Sequence, residues 1–488
     1  MEEISREYYL ALAGHKAAPV LTPIFRKYAH LSSAEAIALV RRALESAENG
    51  NQRNQVRSLL EWIVDKSVRD QLSSLEEKVL EWEGSSTVKL PTGEGIQFER
   101  ATIEMANESD RARRLAIAAA RNTLMMGELS PMRQEMLHRE QEMVIGLGIS
   151  DGYNATWEEL SGIDLGALRR QCEDFLAKTQ PMWDDVFPDF VRRNLNIDPE
   201  DATRADALRL FRGQEFDAYF PAAEMEARVQ RQVREMGIDP LAGGHVILDT
   251  EERAGKRGRA FCSPVRVPSE VYLVLRPHGG QTDWHTFLHE LGHALHFGYT
   301  SVELPYEFKI LGDYSVTEGY AMLFDGLLEH RGWLTRYTDM LQTRMPDFLR
   351  SAGFQELHFV RRYCGKLLYE TQLYGGEVPW SALPDLYTHQ LRSATNFVYS
   401  PAEAFIDVDH SYYSARYLRA WQLQSLLNDT LTQKFDQDWW RNPRAGPWIV
   451  HELFSRGQSE LADQLAARVS GAALSFNPLI SHLERLLS

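Results

Sequence analysis

The residues best able to do chemistry lie in one run, Thr286-Phe287-Leu288-His289-Glu290-Leu291-Gly292-His293-Ala294-Leu295-His296, which contains H-E-x-x-H. Two histidines four positions apart on a helix share a face about one turn apart, so both imidazoles can reach one ion. Glu290 projects beside them and can hold a water against that ion and take its proton. The pattern points to metal-assisted hydrolysis. Gly292 inside the motif costs helix stability, which calls for a close approach by another segment at that point.

A catalytic zinc takes three protein ligands and keeps a fourth position open for water. Tyr299 stands where the extended H-E-x-x-H-x-x-G-x-x-H pattern needs its last histidine, and His296 stands at that pattern's glycine, so this class is excluded. His296 falls on the same helix face as His289 and His293. Adjacent turns of one helix supply three tetrahedral ligands poorly, so packing or support of a ligand is its expected role. A carboxylate from a second helix solves the geometry. Asp313 and Glu318, in Gly312-Asp313-Tyr314-Ser315-Val316-Thr317-Glu318, both qualify. They are five apart and face different sides of a helix, so only one of them can face the metal. Asp325, seven after Glu318 and on its face, is placed to orient a ligand histidine.

Residues 287–296 resemble the motif core of the thimet oligopeptidase and oligoendopeptidase F family of zinc peptidases. In that family the third ligand follows the second motif histidine by the distance that separates His293 from Glu318. The resemblance therefore implies His289, His293 and Glu318 as metal ligands and Glu290 as general base. Asp313, nearer the spacing of thermolysin-like enzymes, is the minor option. Upstream, Gly255-Lys256-Arg257-Gly258-Arg259-Ala260-Phe261-Cys262-Ser263 resembles the family's glycine- and Lys/Arg-containing segment before the active-site strand. The resemblance covers roughly residues 248–429. It implies one Zn²⁺ per chain, a helical body with a deep channel, and cytoplasmic hydrolysis of internal bonds in short unfolded peptides. Mn²⁺ or Co²⁺ can also use such N/O donors.

A second stretch, Asp407-Val408-Asp409-His410-Ser411-Tyr412-Tyr413-Ser414-Ala415-Arg416-Tyr417, carries further polar groups. Read as a helix, it puts His410, Tyr413 and Tyr417 on one face and turns Tyr412 away. Amide hydrolysis builds an oxyanion, which a tyrosine hydroxyl or a protonated histidine stabilises by a hydrogen bond. The resemblance implies such a role for a histidine and one or more tyrosines here, which makes His410, Tyr413 and Tyr417 the catalytic candidates. The glycine-rich turn of the thimet branch is absent. His-x-Tyr-Tyr is closer to the oligoendopeptidase F branch, although the later tyrosines are spaced differently. The competing reading is a cluster of core aromatics around one satisfied histidine.

Helices must position these groups. Before residue 200 the chain reads as helix after helix, with Ser32 and Glu35 as a capping-box pattern and Asn49-Gly50 as a stop. A long amphipathic stretch runs from about Gln52 to Glu83, and further helices are expected at residues 110–126, 131–145 and 165–176. Pro91-Thr92-Gly93 between β-prone pieces reads as a small hairpin, and residues 245–248 and 271–275 read as strands. The second of these is read either as an edge strand, to which a peptide can add by main-chain hydrogen bonds, or as an interior strand. Thr282-Asp283 can cap the motif helix, and Phe287, Leu288, Leu291 and Leu295 can bury it. The expected fold is mainly α, a helical body around a substrate channel with a small β-sheet next to the zinc-binding helix. Residues 1–205 would form a helical wall of the channel, and residues 206–488 the catalytic domain.

The bulk composition narrows the classes. With 44% hydrophobic and 25% charged residues, the 488-residue chain reads as globular. A net charge of −16 argues against nucleic acid as partner, since phosphate binding needs clustered Lys and Arg. Cys172, Cys262 and Cys364 form no C-x-x-C pair and no disulfide framework, which fits a reducing cytoplasm. The acidic start lacks the pattern of a signal peptide, and no run approaches the roughly 20 apolar residues of a membrane span. Short peptides are the expected partners. Two other readings use the same residues. One is a metallocarboxypeptidase or dipeptidyl carboxypeptidase, with a basic residue to capture the substrate C-terminus. The other is a catalytically inactive, zinc-stabilised helical binding protein, against which Glu290 speaks because a structural site needs no base.

Overall fold

The long amphipathic run after Asn49 folds as one helix, Gly50–Ser85, in the computed structural model, which describes all 488 residues. Asn49 starts this helix rather than ending the one before it. Its side chain accepts the N–H of Gln52 at 2.9 Å, and the preceding helix, Ala34–Glu45, has already closed. Ser33, not Ser32, caps that earlier helix by accepting the N–H of Ala36 at 3.2 Å. The expected hairpin forms as β1 (Thr87–Lys89) and β2 (Gly95–Gln97), antiparallel, with Gly93 in the turn at φ +89. The helix expected at residues 165–176 continues to Leu195, through Pro181 and Pro188. Each proline removes one helical hydrogen bond, but Phe175, Trp183, Phe187 and Val191 are buried along the helix and hold it to its length.

A three-stranded sheet lies in the middle of the sequence: β3 (Val246–Asp249), β4 (Phe261–Arg266) and β5 (Glu270–Val274), in the order β3-β5-β4. Strand β3 runs parallel to β5, and β4 runs antiparallel to it. The edge reading of residues 271–275 is therefore overturned. β5 is the interior strand, with Val271, Leu273 and Val274 buried, and β4 is an edge strand. Pro264, which lacks a donor, is tolerated on such an edge.

The chain forms two compact units. The first gathers residues 1–64, 214–352 and 416–486, and the second residues 65–213, 353–415 and 487–488. One crossing between the units falls at 213/214. The crossings at 64/65, 352/353 and 415/416 lie inside the helices Gly50–Ser85, Met345–Gly375 and Tyr413–Lys434, where no turn residue announces them. The first unit holds the sheet, the H-E-x-x-H helix and a core in which Trp284, Phe287, Leu291, Tyr320 and Phe324 are buried together. The second is helical apart from the β1–β2 hairpin, with Trp157, Phe175 and Trp183 in its interior. No helix is long and apolar enough to cross a membrane. All three cysteines are free thiols.

Candidate metal centre

The motif helix spans Gln281–Tyr299. Gly279 and Gly280, both at positive φ, turn the chain into it, and Asp283 accepts the N–H groups of His278 and Gly279 at 2.8 and 2.9 Å. Trp284, Phe287, Leu288, Leu291 and Leu295 bury its inner face. A second helix, Tyr314–Asp325, supplies the carboxylate and is capped by Asp313, whose side chain accepts the N–H of Ser315 at 2.9 Å. The two helices cross at Gly292. A Cβ there would lie 2.6 Å from Cα of Ala321 and 2.9 Å from the carbonyl oxygen of Tyr320. This close approach accounts for a glycine within the motif.

The crossing brings His289, His293 and Glu318 into one group, with the donor atoms all within 4.8 Å of one another. Nε2 of His289 lies 3.4 Å from Oε2 of Glu318, and Nε2 of His293 lies 3.7 Å from the same oxygen. The other ring nitrogens are held from behind. Nδ1 of His289 bonds Oδ2 of Asp325 at 2.8 Å, and Nδ1 of His293 bonds Oγ1 of Thr317 at 2.9 Å. Both Nε2 atoms are thereby turned to Glu318, as ligand histidines are oriented by their outer contacts.

Charge follows this geometry. Burial alone would raise the carboxyl of Glu318, but hydrogen bonds and charge from His289 and His293 hold it well below the usual carboxylate range. Burial would lower His289, yet Asp325 and Glu318 outweigh it and push the imidazole up to about 10. The group is a compensated cluster of two imidazole nitrogens and one carboxylate oxygen. That donor set matches the three protein ligands a catalytic zinc takes.

Glu290 sits beside the group, and its Oε2 accepts the backbone N–H of Cys262, on edge strand β4, at 2.8 Å. His296 faces elsewhere. It is fully buried, its Nδ1 lies 3.1 Å from the same Thr317 hydroxyl, and burial pushes it down to about 3, so the ring is neutral. Asp313 lies outside the group. Its oxygens accept the N–H groups of Ser315 and Ala462, and Arg416 and Arg419 lie 3.6 and 3.8 Å away. The sequence by itself assigns neither Thr317 nor Cys262 a place beside this group. Cys262 acts through its main chain, which no side-chain pattern reveals, and Thr317 becomes visible only when Glu318 is taken as a ligand.

The stretch around His410 departs from the helical expectation. The helix begins at Tyr413, and Ser411 and Tyr412 adopt φ +50 and +56, a left-handed turn that takes His410 off the helix face. Tyr412 is buried, and its hydroxyl donates to Asn154. Within the second unit, Nε2 of His410 bonds Oδ1 of Asp65 at 2.7 Å, and Nδ1 lies 2.8 Å from Oε1 of Glu140. Burial lowers this imidazole, but Glu140 and Asp65 prevail and push it up to about 10. Both ring nitrogens are thus engaged by carboxylates. Tyr413 and Tyr417 remain four apart on one helix, each half-buried, and Tyr417 lies beside the ring of Trp421.

No protein-family model matches the chain, and no curated protein matches it.

Proposed function

We propose that this chain is a zinc-dependent oligopeptidase that hydrolyses internal bonds of short unfolded peptides. The observation that carries the reading is the helix crossing at Gly292, which turns Nε2 of His289 and of His293 to the buried carboxylate of Glu318 with Glu290 alongside. A zinc ion bound there would polarise the scissile carbonyl and acidify a water. Glu290, tethered through Oε2, offers its other oxygen to that water, takes its proton during attack and returns it to the leaving amine. Asp325 and Thr317 keep the two imidazoles in register for their task.

The outer edge of β4 supports a peptide as substrate. β4 pairs with no strand but β5, so the main-chain carbonyls of its other side lie beside Glu290, whose carboxylate already takes the Cys262 N–H. A peptide laid along that edge is held by its backbone, which tolerates varied side chains. The hydroxyls of Tyr413 and Tyr417 are the donors proposed for the oxyanion. His410, held on both nitrogens by carboxylates, is proposed to support the turn that precedes them. Three free cysteines favour a reducing cytoplasm as the compartment.

Metal analysis of the purified chain, combined with mass-spectrometric profiling of a mixed peptide library, tests the reading. About one zinc per chain and cleavage within short peptides are expected. A chain that holds no transition metal, and takes none up after chelation and reconstitution, removes it. Cleavage confined to peptides with a free C-terminus, absent when that terminus is amidated, would move the activity to a carboxypeptidase.

A further inference from the structure

Residues 251–260 lead into edge strand β4 and carry the cations Arg253, Lys256, Arg257 and Arg259. Two of these are engaged within the protein. The Lys256 side chain is fully buried, and its Nζ donates to Oδ1 and the carbonyl oxygen of Asp249, each at 2.9 Å. It also donates to the carbonyl oxygen of Glu251 at 2.8 Å, which uses its third proton. Arg253 pairs with Asp249 and Glu251 and donates to the carbonyl oxygen of Ala13 at 2.8 Å. Glu252, the other acid of the loop, lies 3.2 Å from Arg276. Arg257 and Arg259 are left over. Both are exposed, and no carboxylate stands within ion-pair distance of either side chain. In a chain of net charge −16, this is a local surplus of positive charge.

The backbone that carries them is fixed. The N–H of Arg257 donates to the carbonyl oxygen of Leu12 at 2.8 Å, directly after the buried Lys256. Gly258, between the two arginines, lies close to the entry of the motif helix, where a Cβ would stand 3.9 Å from Nε2 of His278. Arg259 precedes Cys262 by three positions, so at most about 11 Å of chain separates it from the residue that tethers Glu290. The two arginines thus stand at the head of the edge along which the peptide is proposed to lie. That edge is short of donors, because the N–H of Cys262 is taken by Glu290 and Pro264 has none. Its carbonyls can accept from a peptide's N–H groups but leave a peptide's carboxylates to other donors. A guanidinium supplies them, since its fork of N–H groups matches a carboxylate in two parallel bonds.

We infer that Arg257 and Arg259 are specificity-determining residues that bind a carboxylate of the substrate, so that the chain prefers peptides carrying one near the scissile bond over their uncharged counterparts. The inference rests on the peptidase reading of the His289, His293, Glu318 and Glu290 group. The carboxylate comes from an Asp or Glu side chain or from the free C-terminus of a short peptide. Both present the same planar acceptor pair to a guanidinium.

The test uses the full zinc-loaded chain and short quenched fluorescent peptides in matched pairs: Asp against Asn within the peptide, and a free against an amidated C-terminus. kcat and KM are measured for wild type, Arg257→Gln, Arg259→Gln and the double variant. Arg139→Gln, which removes an exposed positive charge from the second unit, serves as control. Wild type should show a KM about 3–10-fold lower for the carboxylate member of at least one pair, with similar kcat, and the difference should shrink as salt rises. The double variant should abolish the difference and Arg139→Gln should keep it, with zinc content and melting temperature unchanged in both. The pair that loses its difference identifies the source of the carboxylate. Wild type that treats the members of both pairs alike overturns the inference and leaves the peptidase reading standing. A difference that survives in the double variant does the same. Wild type that takes up no zinc, or cleaves no peptide, overturns the peptidase reading and this inference together.

Discussion

The backbone N–H of Cys262 donates to Oε2 of Glu290 across 2.8 Å, so the candidate base is tethered by an edge strand rather than by another side chain. Glutamine can accept the same N–H through its amide oxygen. Glu290→Gln should therefore keep fold and zinc while peptide hydrolysis falls by about 10²–10⁴-fold, the usual worth of a general base. Near-normal turnover in that variant would show that another group activates the water.

Glu318 and Asp313 are separated by their surroundings. Glu318→Ala should lose most zinc binding, since it removes one of three donors. Asp313→Ala should keep stoichiometric zinc but melt at lower temperature. It deletes the cap of the second helix, worth about 1 kcal/mol, and leaves Arg416 and Arg419 short of a buried counter-charge. Metal content and melting temperature of the two variants decide, and the reverse pattern would move the third ligand to Asp313.

Gly292→Ala adds one methyl where the nearest atoms are backbone, 2.6 Å away at Ala321 and 2.9 Å away at Tyr320. The helices must separate, at a cost of about 1–3 kcal/mol. Because His293 and Glu318 lie on opposite sides of this contact, zinc affinity should drop along with stability. A variant with unchanged melting and unchanged affinity would mean that the close crossing does not govern the site.

His410 provides a stability prediction with a defined sign. Its folded pKa is raised to about 10 from 6.5, so its contribution is complete below 6.5 and is lost as pH rises through about 10. The groups facing it are Asp65 and Glu140, with Arg69 on Asp65 and Tyr153 on Glu140. Asp65 is lowered to about 2 from 3.8, so its own contribution changes only in acid, outside this window. The melting-temperature difference between wild type and His410→Gln should shrink steadily from pH 6.5 to 10. A difference that stays flat over that range would show that the ring is not held protonated.

The tyrosines are separated by hydroxyl deletion. If Tyr413 or Tyr417 donates to the oxyanion, its change to Phe should lower kcat by roughly 10²–10³ with little change in KM and no loss of zinc. Tyr412→Phe should chiefly reduce stability, because its buried hydroxyl donates to Asn154. Should neither Tyr413→Phe nor Tyr417→Phe affect turnover, this segment is packing and the oxyanion is stabilised elsewhere.

What the amino-acid sequence alone determined is whatever the helical period carries. His289 and His293 share a face because they are four apart, the motif's apolar residues bury that helix, and the mainly α character follows from the same periodicity throughout. A glycine in the motif signalled a close neighbour without naming it. Tertiary structure decided the rest. It set Glu318 against the histidines and committed Asp313 to a helix cap and two arginines, a choice that depends on residues about a hundred positions downstream. It put residues 271–275 inside the sheet, because β4 returns antiparallel to cover that edge. It also took His410 off the helix, since the left-handed turn at Ser411 and Tyr412 is held by Asp65, Glu140 and Asn154, all remote in sequence. Local periodicity is written in a few neighbouring side chains. The choice among carboxylates, strand positions and turns is made by contacts between distant segments, which one sequence does not display.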